Sequence, residues 1–444
     1  MSKISLSNWG RFPFVEAEIV ELYDEKRAAE VAVTSPSLIA RGLGRCYGDS
    51  SLGEKVVSTL KYNRFISFDP TTGVLKCEAG VSFADILEVF VPKGWFLPVT
   101  PGTKFITVGG AIASDVHGKN HHKEGTFGNW VTSMNILLSS GEVVTCSREV
   151  MSDLFYSTIG GMGLTGVILE AEFALKKIET SFISQKIKPA ENLEKVMELF
   201  DQSKNFTYSV AWIDCLARGS NLGKSILYLG EHATKEEIAG TAFAENPLFY
   251  HNKGLLGVPF DFPPGSLNSL TVRMFNGLYY TMNKMKGDGA VHLDPFFYPL
   301  DAIGNWNRIY GKKGFLQYQF VLPLEKSREG MTEVLQAIAK EGRGSFLAVL
   351  KLFGKQDSLI SFPMEGYTLA LDFPIMPGLM KFLNKLDEIV LKYDGRFYFT
   401  KDSRLKPENF KPGYPRLEEF LEIKRKYDPR NVFASTQSKR LGLT

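Results

Sequence analysis

Cysteine is scarce in this chain. Four occur among 444 residues (Cys46, Cys77, Cys146 and Cys215), and no two stand at CxxC spacing. A disulfide framework and a cysteine-built zinc site are therefore excluded, and a reducing compartment is the default. Neither sign of charge dominates. The formal net charge of +3 is too balanced to argue for a nucleic-acid partner. No apolar run is long enough to read as a membrane-spanning helix. The opening stretch MSKISLSNWGRF lacks the basic-then-apolar layout of a secretory leader. Together these absences lead us to expect a cytoplasmic or membrane-peripheral protein. Internal repeats, low-complexity tracts and a GxxxxGK[ST] phosphate loop are absent too, which removes solenoids and P-loop enzymes from consideration.

What is present is an ordinary globular balance, with 44% hydrophobic and 23% charged residues, so disorder is excluded as the overall state. The length suits two large domains or about three ordinary ones. In the first third, VEAEIV (15–20), KVVSTL (55–60), FISFDP (65–70), GVLKCEAG (73–80), NILLSSGEVVTC (135–146) and GVILEAEFAL (166–175) read as strands broken by turn residues. SFADILEVFVPKG (82–94) reads as a helix, with Ile86, Leu87 and Phe90 at helical spacing and Gly94 as its stop. Beyond residue 178 the texture changes. Strands at 315–324 and 366–375 alternate with amphipathic helices at 192–203, 330–342 and 378–393, the pattern of an α+β domain with one sizeable sheet. The Gly- and Pro-rich segment 251–270 shows little periodicity. It reads as a long loop, either a lid or binding segment or an ordinary surface connection.

Three glycine-rich stretches carry the chemistry: RGLGRCYGDS (41–50), PGT followed by TVGGAIASDVHGKNHH (101–122), and IGGMGLTG (159–166). Glycine permits positive φ and close backbone approach, which lets amide groups face a pyrophosphate. One such stretch is weak evidence. Three of them, separated by strands, point to a large phosphorylated cofactor. The third contains GxGxxG, yet a helical pattern precedes it and a strand follows it. That reverses the strand-then-helix order of a dinucleotide fingerprint, so the Rossmann reading is rejected. His117, His121 and His122 form HxxxHH, a possible metal spacing. The intervening Gly118-Lys119-Asn120 places a cation inside any such site, and no cysteine or carboxylate completes it nearby. A polar loop lining a cofactor pocket is the preferred reading, with no metal.

RGLGRCYGDS, PGTKFITVGGAIASDVHGKNHH, GTFGNWV, DLFYSTIGGMGLTG, FLQYQF, LKLFG, YFTKDSR and IKRKYDPRNVFAS occur in order between Arg41 and Leu441. This set resembles the FAD-linked oxidases of the vanillyl-alcohol oxidase superfamily, and within it the branch acting on polyprenyl-phosphoryl ribose. The resemblance implies a two-domain α+β fold of the PCMH-type FAD-binding class. Residues 1–178 with 397–444 would form the FAD domain, and 179–396 a substrate-binding cap with an antiparallel sheet and helices. FAD contacts carried over are Gly42, Gly44, Arg45, Cys46, Tyr47, Gly48 and Asp49 in the first loop. The second contributes Pro101, Gly102, Thr103, Val108, Gly109, Gly110, Ala113, Ser114, His117, Gly118, Asn120 and His121. Gly161, Gly166 and Ile168 follow near the adenosine, and Lys401 near the ring. Tyr47 stands where some members carry the histidine that bonds FAD covalently, so the cofactor is expected to be non-covalent.

The same resemblance implies that the flavin takes a hydride from a sugar carbon while the protein assists the proton. Lys401 would stabilise negative charge on the reduced ring, and Gln319 would bind sugar hydroxyls. Proton transfer falls to Tyr47 or His117, with no choice between them. Gln317, Lys351, Phe353, Thr368 and Ala370 join Gln319 as substrate-side residues, with Lys351 serving the substrate phosphate. Ala370 and Thr368 depart from the family pattern, which has cysteine and asparagine there. The implied reaction oxidises the 2′-hydroxyl of a polyprenyl-phosphoryl ribose, the first half of epimerisation to arabinose for cell-wall arabinan. A separate NADH-dependent short-chain reductase would complete it, and 251–270 (Leu255, Leu256, Val258, Phe260, Phe262) would meet the lipid tail or the membrane surface. The alternatives are an oxidase of a soluble sugar, alditol or aldonolactone, and a non-catalytic flavin-binding scaffold.

Overall fold

A computed structural model describes residues 3–251, 256–263 and 265–444. Three sheets organise them. The first has the order Ile4–Leu6, Val15–Glu21, Lys55–Ser58, Ile39–Arg41, and its last two pairings are parallel. The second is antiparallel, in the order Phe65–Phe68, Val74–Glu78, Val167–Ala174, Val131–Leu137, Val143–Ser147. The stretch expected as one strand over 135–146 is thus part of a hairpin, because Gly141 at φ 88° turns the chain back. Helix Phe83–Phe90 packs on this sheet. Ser82 and Asp85 form a reciprocal cap at its start, and Phe83, Ile86, Leu87 and Phe90 are buried.

The third sheet is eight-stranded and antiparallel throughout. Its order is Gly289–His292, Phe182–Ala190, Ser225–His232, Tyr208–Ile213, Ala348–Phe353, Gly366–Pro374, Phe315–Pro323, Arg396–Phe397. Strand alternation sorts its side chains by face. Leu227, Leu229, Leu350, Leu369, Leu371 and Leu322 enter the largest core with helices Leu193–Gln202, Leu324–Glu341 and Leu379–Lys392. Helix Leu324–Glu341 starts six residues before the expected 330, since the turn after Pro323 leads straight into it. The opposite face carries Gln317, Gln319, Lys351, Ala370 and Trp212.

Two segments depart from the sequence reading. Of 251–270, Leu255 lies outside the described residues. Leu256–Gly257 pairs with Ile303–Gly304, and the Arg308 guanidinium donates to the carbonyls of Val258 and Pro259. A sixteen-residue helix, Ser269–Lys284, then begins at an Asn268/Thr271 capping box. The second segment is the C-terminus, which returns to the first two sheets. Leu38 bridges Phe433. Arg430 donates to the Ala32 and Val33 carbonyls, and Arg440 pairs with Asp49. Around 152–166 the order is helix Ser152–Thr158, a turn with positive φ at Gly160, Met162 and Gly163, then strand Val167–Ala174. That is the reverse of a dinucleotide fingerprint.

Candidate active site

One cavity of about 940 Å³ lies between the first two sheets and the free face of the third. Its volume falls at the upper end of the range for ligand and cofactor pockets. The loop side consists of Arg41–Tyr47, Thr100–Thr103, Gly109, Gly110, Ala113, Ser114, His117 and Gly118, with Gly166 and Ile168 beside them. Of the expected cofactor residues, Gly42, Gly44, Arg45, Cys46, Tyr47, Pro101, Gly102, Thr103, Gly109, Gly110, Ala113, Ser114, His117, Gly118, Gly166, Ile168 and Lys401 line it.

The others do not. An added Cβ on Gly48 falls 1.7 Å from the Asp402 carbonyl, so that glycine lets the first loop reach the segment carrying Lys401. Asp49 turns to Arg440, which also holds Asp402, at 2.8 Å each. Val108 is core, and Gly161 packs on the Ser157 carbonyl. The Asn120 amide donates to the Pro98 carbonyl at 2.8 Å. His121 accepts from the Gly354 amide at 3.1 Å and meets Gln356 at 3.0 Å. Burial drops its pKa to about 4. Phe353 stands behind the wall, 4.7 Å from the His117 ring and 4.5 Å from that of His121. Thr368 lies beneath Gln319, whose amide donates to it at 3.3 Å. The three histidines point to different partners, and no metal-holding cluster occurs among the described residues.

Lys401, Tyr47, His117, Lys351, Gln317, Gln319 and Ala370 do converge on the cavity. Lys401 ends the turn Phe399–Lys401. Gln437 anchors that turn by donating to the Phe399 and Asp402 carbonyls. The Lys401 ammonium sits 3.8 Å from the Tyr47 ring centroid. His117 is buried between Phe353, Phe362 and Tyr398. Its Nδ1 lies 3.0 Å from Lys351 Nζ, and its Nε2 lies 3.3 Å from the Gln319 amide.

Burial sets the charge states. It holds His117 well below the usual imidazole range, with help from the Lys351 charge, so His117 is neutral. It drops Lys119 to about 7 and Lys351 to about 7, the latter also pressed by Lys119 and Lys401. It lowers Lys401, against the opposing pull of Asp372. Tyr47 is pushed well above the ordinary phenol value by burial and then by Asp372, so it stays protonated. None of Lys119, Lys351 and Lys401 forms an ion pair among the described residues. Half-buried cations that line a cavity without ion-pair partners favour an anionic ligand.

Asp372 and Lys119 were missed by the sequence reading. Gln317 donates to Asp372 at 2.6 Å, directly across the strand pair. Burial raises its pKa, against that hydrogen bond and Lys401. Its signal was available: Asp372 stands two residues after Ala370 and shares its face. Lys119 sits inside the histidine loop, and its ammonium donates to the Phe297 carbonyl at 3.0 Å.

A family model described as FAD binding domain matches residues 16–147, and one described as D-arabinono-1,4-lactone oxidase matches 315–441. The decaprenylphosphoryl-beta-D-ribose oxidase of Mycolicibacterium smegmatis is 38% identical over 99% of this chain and 97% of that one. The chain belongs to the decaprenylphosphoryl-ribose oxidase family. A Streptomyces coelicolor protein, described as uncharacterized and encoded in the mprA 5′ region, is 32% identical over 81% of this chain and 99% of its own. A D-lactate dehydrogenase of Anaerostipes hadrus is 33% identical over 40% of this chain and 37% of its own. The family brings the two-domain α+β fold and FAD as cofactor. The residues fit that group. At Gly102 a Cβ would meet no atom within 4 Å, so the loop wall there is open backbone that a flat nucleotide can approach. Lys401 supplies a cation lining the same cavity.

Proposed function

We propose that this chain oxidises the 2′-hydroxyl of a polyprenyl-phosphoryl ribose to the 2′-keto sugar. The observation that carries the proposal is the continuity of one cavity. It runs from the glycine loops, past Lys401 and His117, to an apolar chamber lined by Val210, Trp212, Tyr228, Tyr279 and Phe296. The full-length similarity to a decaprenylphosphoryl-ribose oxidase supports the substrate class. We assign FAD to residues 1–178 with 397–444, and the substrate cap to 179–396.

Bound FAD supplies a two-electron acceptor for the hydride. The chain's own residues do the rest. Lys401 holds a positive charge against the cavity where negative charge accumulates during reduction, electrostatic stabilisation by a preorganised group. Gln319, fixed on a strand and hydrogen-bonded to Thr368, orients sugar hydroxyls beside His117. Between the two proton-transfer candidates we take His117 on position, because its ring meets both Gln319 and Lys351. It is neutral, although burial and the Lys351 charge oppose its protonation, whereas Tyr47 is a phenol held firmly protonated. Tyr47 instead stacks under Lys401 and fixes it. Lys351 and Lys119 take the substrate phosphate. Trp212 and Tyr228 offer the apolar surface for the prenyl chain. The flavin is expected to be held without a covalent bond, because Tyr47 stands where some family members carry the bonding histidine. Acid precipitation is expected to leave yellow flavin in the supernatant, not in the pellet.

A separate NADH-dependent reductase completes the epimerisation in this reading, and the enzyme works at the membrane surface that holds its substrate. The match of 315–441 to a lactone oxidase model favours a second reading, oxidation of a soluble sugar, alditol or lactone. Anaerobic bleaching of the flavin separates the two. A short-chain prenyl-phosphoryl ribose should bleach it, and free ribose, alditols and aldonolactones should not. The reverse pattern overturns the first reading.

A further inference from the structure

The helix Ser269–Lys284 lies on the cavity face of the eight-stranded sheet. Its inner side is fully engaged. Val272, Asn276, Tyr280 and Asn283 are buried. The Tyr279 ring lies 4.7 Å from that of Trp212, and its hydroxyl meets the Tyr228 hydroxyl at 2.9 Å. The Asn276 amide donates to Asp214 at 2.7 Å. Its outer side is apolar and unpartnered. Leu270, Met274, Leu278 and Met282 recur every fourth residue, Met285 follows on the same side, and all five are 61–82% exposed. Phe275 borders them. Arg273, Lys284 and Lys286 are exposed along the flank, and no Asp or Glu occurs from Phe262 to Gly287.

An apolar stripe of this width edged only by cations is the pattern of a helix that lies in a bilayer interface and prefers anionic lipid. A second copy of the chain fits poorly. A two-fold contact through this helix would set the same cations against each other. The cavity adds an independent argument. Tyr279, Met282, Asn283 and Lys286 of this segment line the same cavity that holds Gln319 and Lys351, and Met282 faces both the cavity and the outside. The mouth of the chamber therefore opens beside the stripe.

We propose that helix Ser269–Lys284 seats the protein on an anionic membrane surface, and that the prenyl tail passes from the acyl layer beneath its C-terminal end into the cavity. This rests on the lipid-linked substrate proposed above and adds where the lipid enters.

The test floats FAD-loaded protein with vesicles of phosphatidylcholine containing about 30% phosphatidylglycerol, and with phosphatidylcholine alone, at low and high salt. Wild type should rise with the anionic vesicles at low salt. The Met274→Glu/Leu278→Glu double variant should lose at least about tenfold of that binding, since each charge would have to enter the interface. Both residues lie outside the cavity lining, so flavin content and bleaching by a soluble short-chain prenyl-phosphoryl ribose should not change. Turnover of a long-chain substrate in vesicles should fall in step with flotation. The milder Leu278→Ser covers the case in which the double variant folds poorly. Equal flotation of wild type and variants overturns the proposal, as does wild type that never floats. A dimer in sedimentation equilibrium that the double variant dissolves assigns the stripe to a second copy instead. Flotation without turnover of any prenyl-linked sugar fails the functional reading and leaves the docking surface standing.

Discussion

The loop wall and the sheet wall of the cavity enclose one space but are built differently. On the loop side, Gly42, Gly44, Gly102, Gly109 and Gly110 present backbone, and tolerance is set by what stands beside each one, from the Thr107 side chain at Gly42 and the Arg41 side chain at Gly44 to open space at Gly102. On the sheet side, Gln317, Gln319, Lys351 and Ala370 present side chains from a fixed pleat, and the buried Asp372 backs Gln317. Lys401 and Arg440 join the two, because the C-terminal return carries both and ties the first loop to the sheet edge. Errors in the loop wall should therefore cost folding and cofactor retention, while errors in the sheet wall should cost only chemistry.

The largest effect should come at the junction. Lys401→Ala removes a half-buried cation that has no ion-pair partner among the described residues, so the fold should hold and flavin should remain bound. Turnover should fall by roughly 10²-fold or more, the scale for losing one preorganised charge-stabilising group. Stopped-flow reduction at saturating substrate checks this, and near-normal reduction with flavin bound would remove Lys401 from the mechanism. On the loop side, Gly48→Ala places a methyl 1.7 Å from the Asp402 carbonyl. A stability loss of at least about 1–3 kcal/mol is expected, together with loss of flavin, read as a lower Tm and a colourless fraction. If the variant keeps Tm and colour while losing only turnover, the contrast between the walls is wrong.

Two sheet-wall changes sharpen the contrast through pH. In the free protein Lys351 titrates near 7. Below that pH it is cationic and can hold a phosphate; above it the cation is lost unless the ligand pays for keeping the proton. KM for the phosphorylated substrate should thus climb as pH rises past about 7. Lys351→Met should flatten that rise and weaken binding by roughly tenfold or more, the worth of a charged hydrogen bond. Asp372→Asn acts on Lys401 instead. The carboxylate supports the Lys401 proton, so its removal lowers the lysine pKa further. The alkaline fall in kcat should move to lower pH with Tm little changed. An unmoved alkaline limb would mean that Asp372 does not act on Lys401 electrostatically.

How far the sequence led depended on which physical signal each region carries. Strands Phe315–Pro323 and Gly366–Pro374 alternate so regularly that their faces could be assigned by parity, and Gln317 and Gln319 fell on the cavity side as read. The cradle loops were visible because several glycines cluster there, yet composition cannot say which glycine faces a ligand and which admits another chain segment. Gly48 and Asp49 look like their neighbours in RGLGRCYGDS, but Gly48 answers to Asp402 and Asp49 to Arg440, 391 residues away. His121 was drawn into the cofactor list by its place beside His117, whereas the short helix His121–Glu124 turns it to Gly354 and Gln356. Helix Ser269–Lys284 was missed for another reason. Leu270, Met274, Leu278 and Met282 do recur at helical spacing, but its buried side carries Asn276 and Asn283 while its outer side is apolar, so the usual sorting of apolar from polar faces is blurred.

The smallest effect belongs to Ala370, one of the two positions expected from the sequence to depart from the family pattern. Ala370 pairs with Gln319 on one side and Val349 on the other, and its methyl meets the open cavity. Ala370→Cys adds one sulfur into free space, where overpacking has nothing to push against. Stability should change by less than about 1 kcal/mol, and turnover should stay within about threefold. The new thiol would sit on the sheet wall within reach of any ligand occupying the cavity, so a cavity-bound electrophile should label the variant and spare wild type, with substrate protecting. A thiol that labels at the same rate with and without substrate would show that residue 370 faces away from the reacting sugar. The sheet wall would then need its pleat reassigned by one residue, taking Gln319 and Asp372 with it.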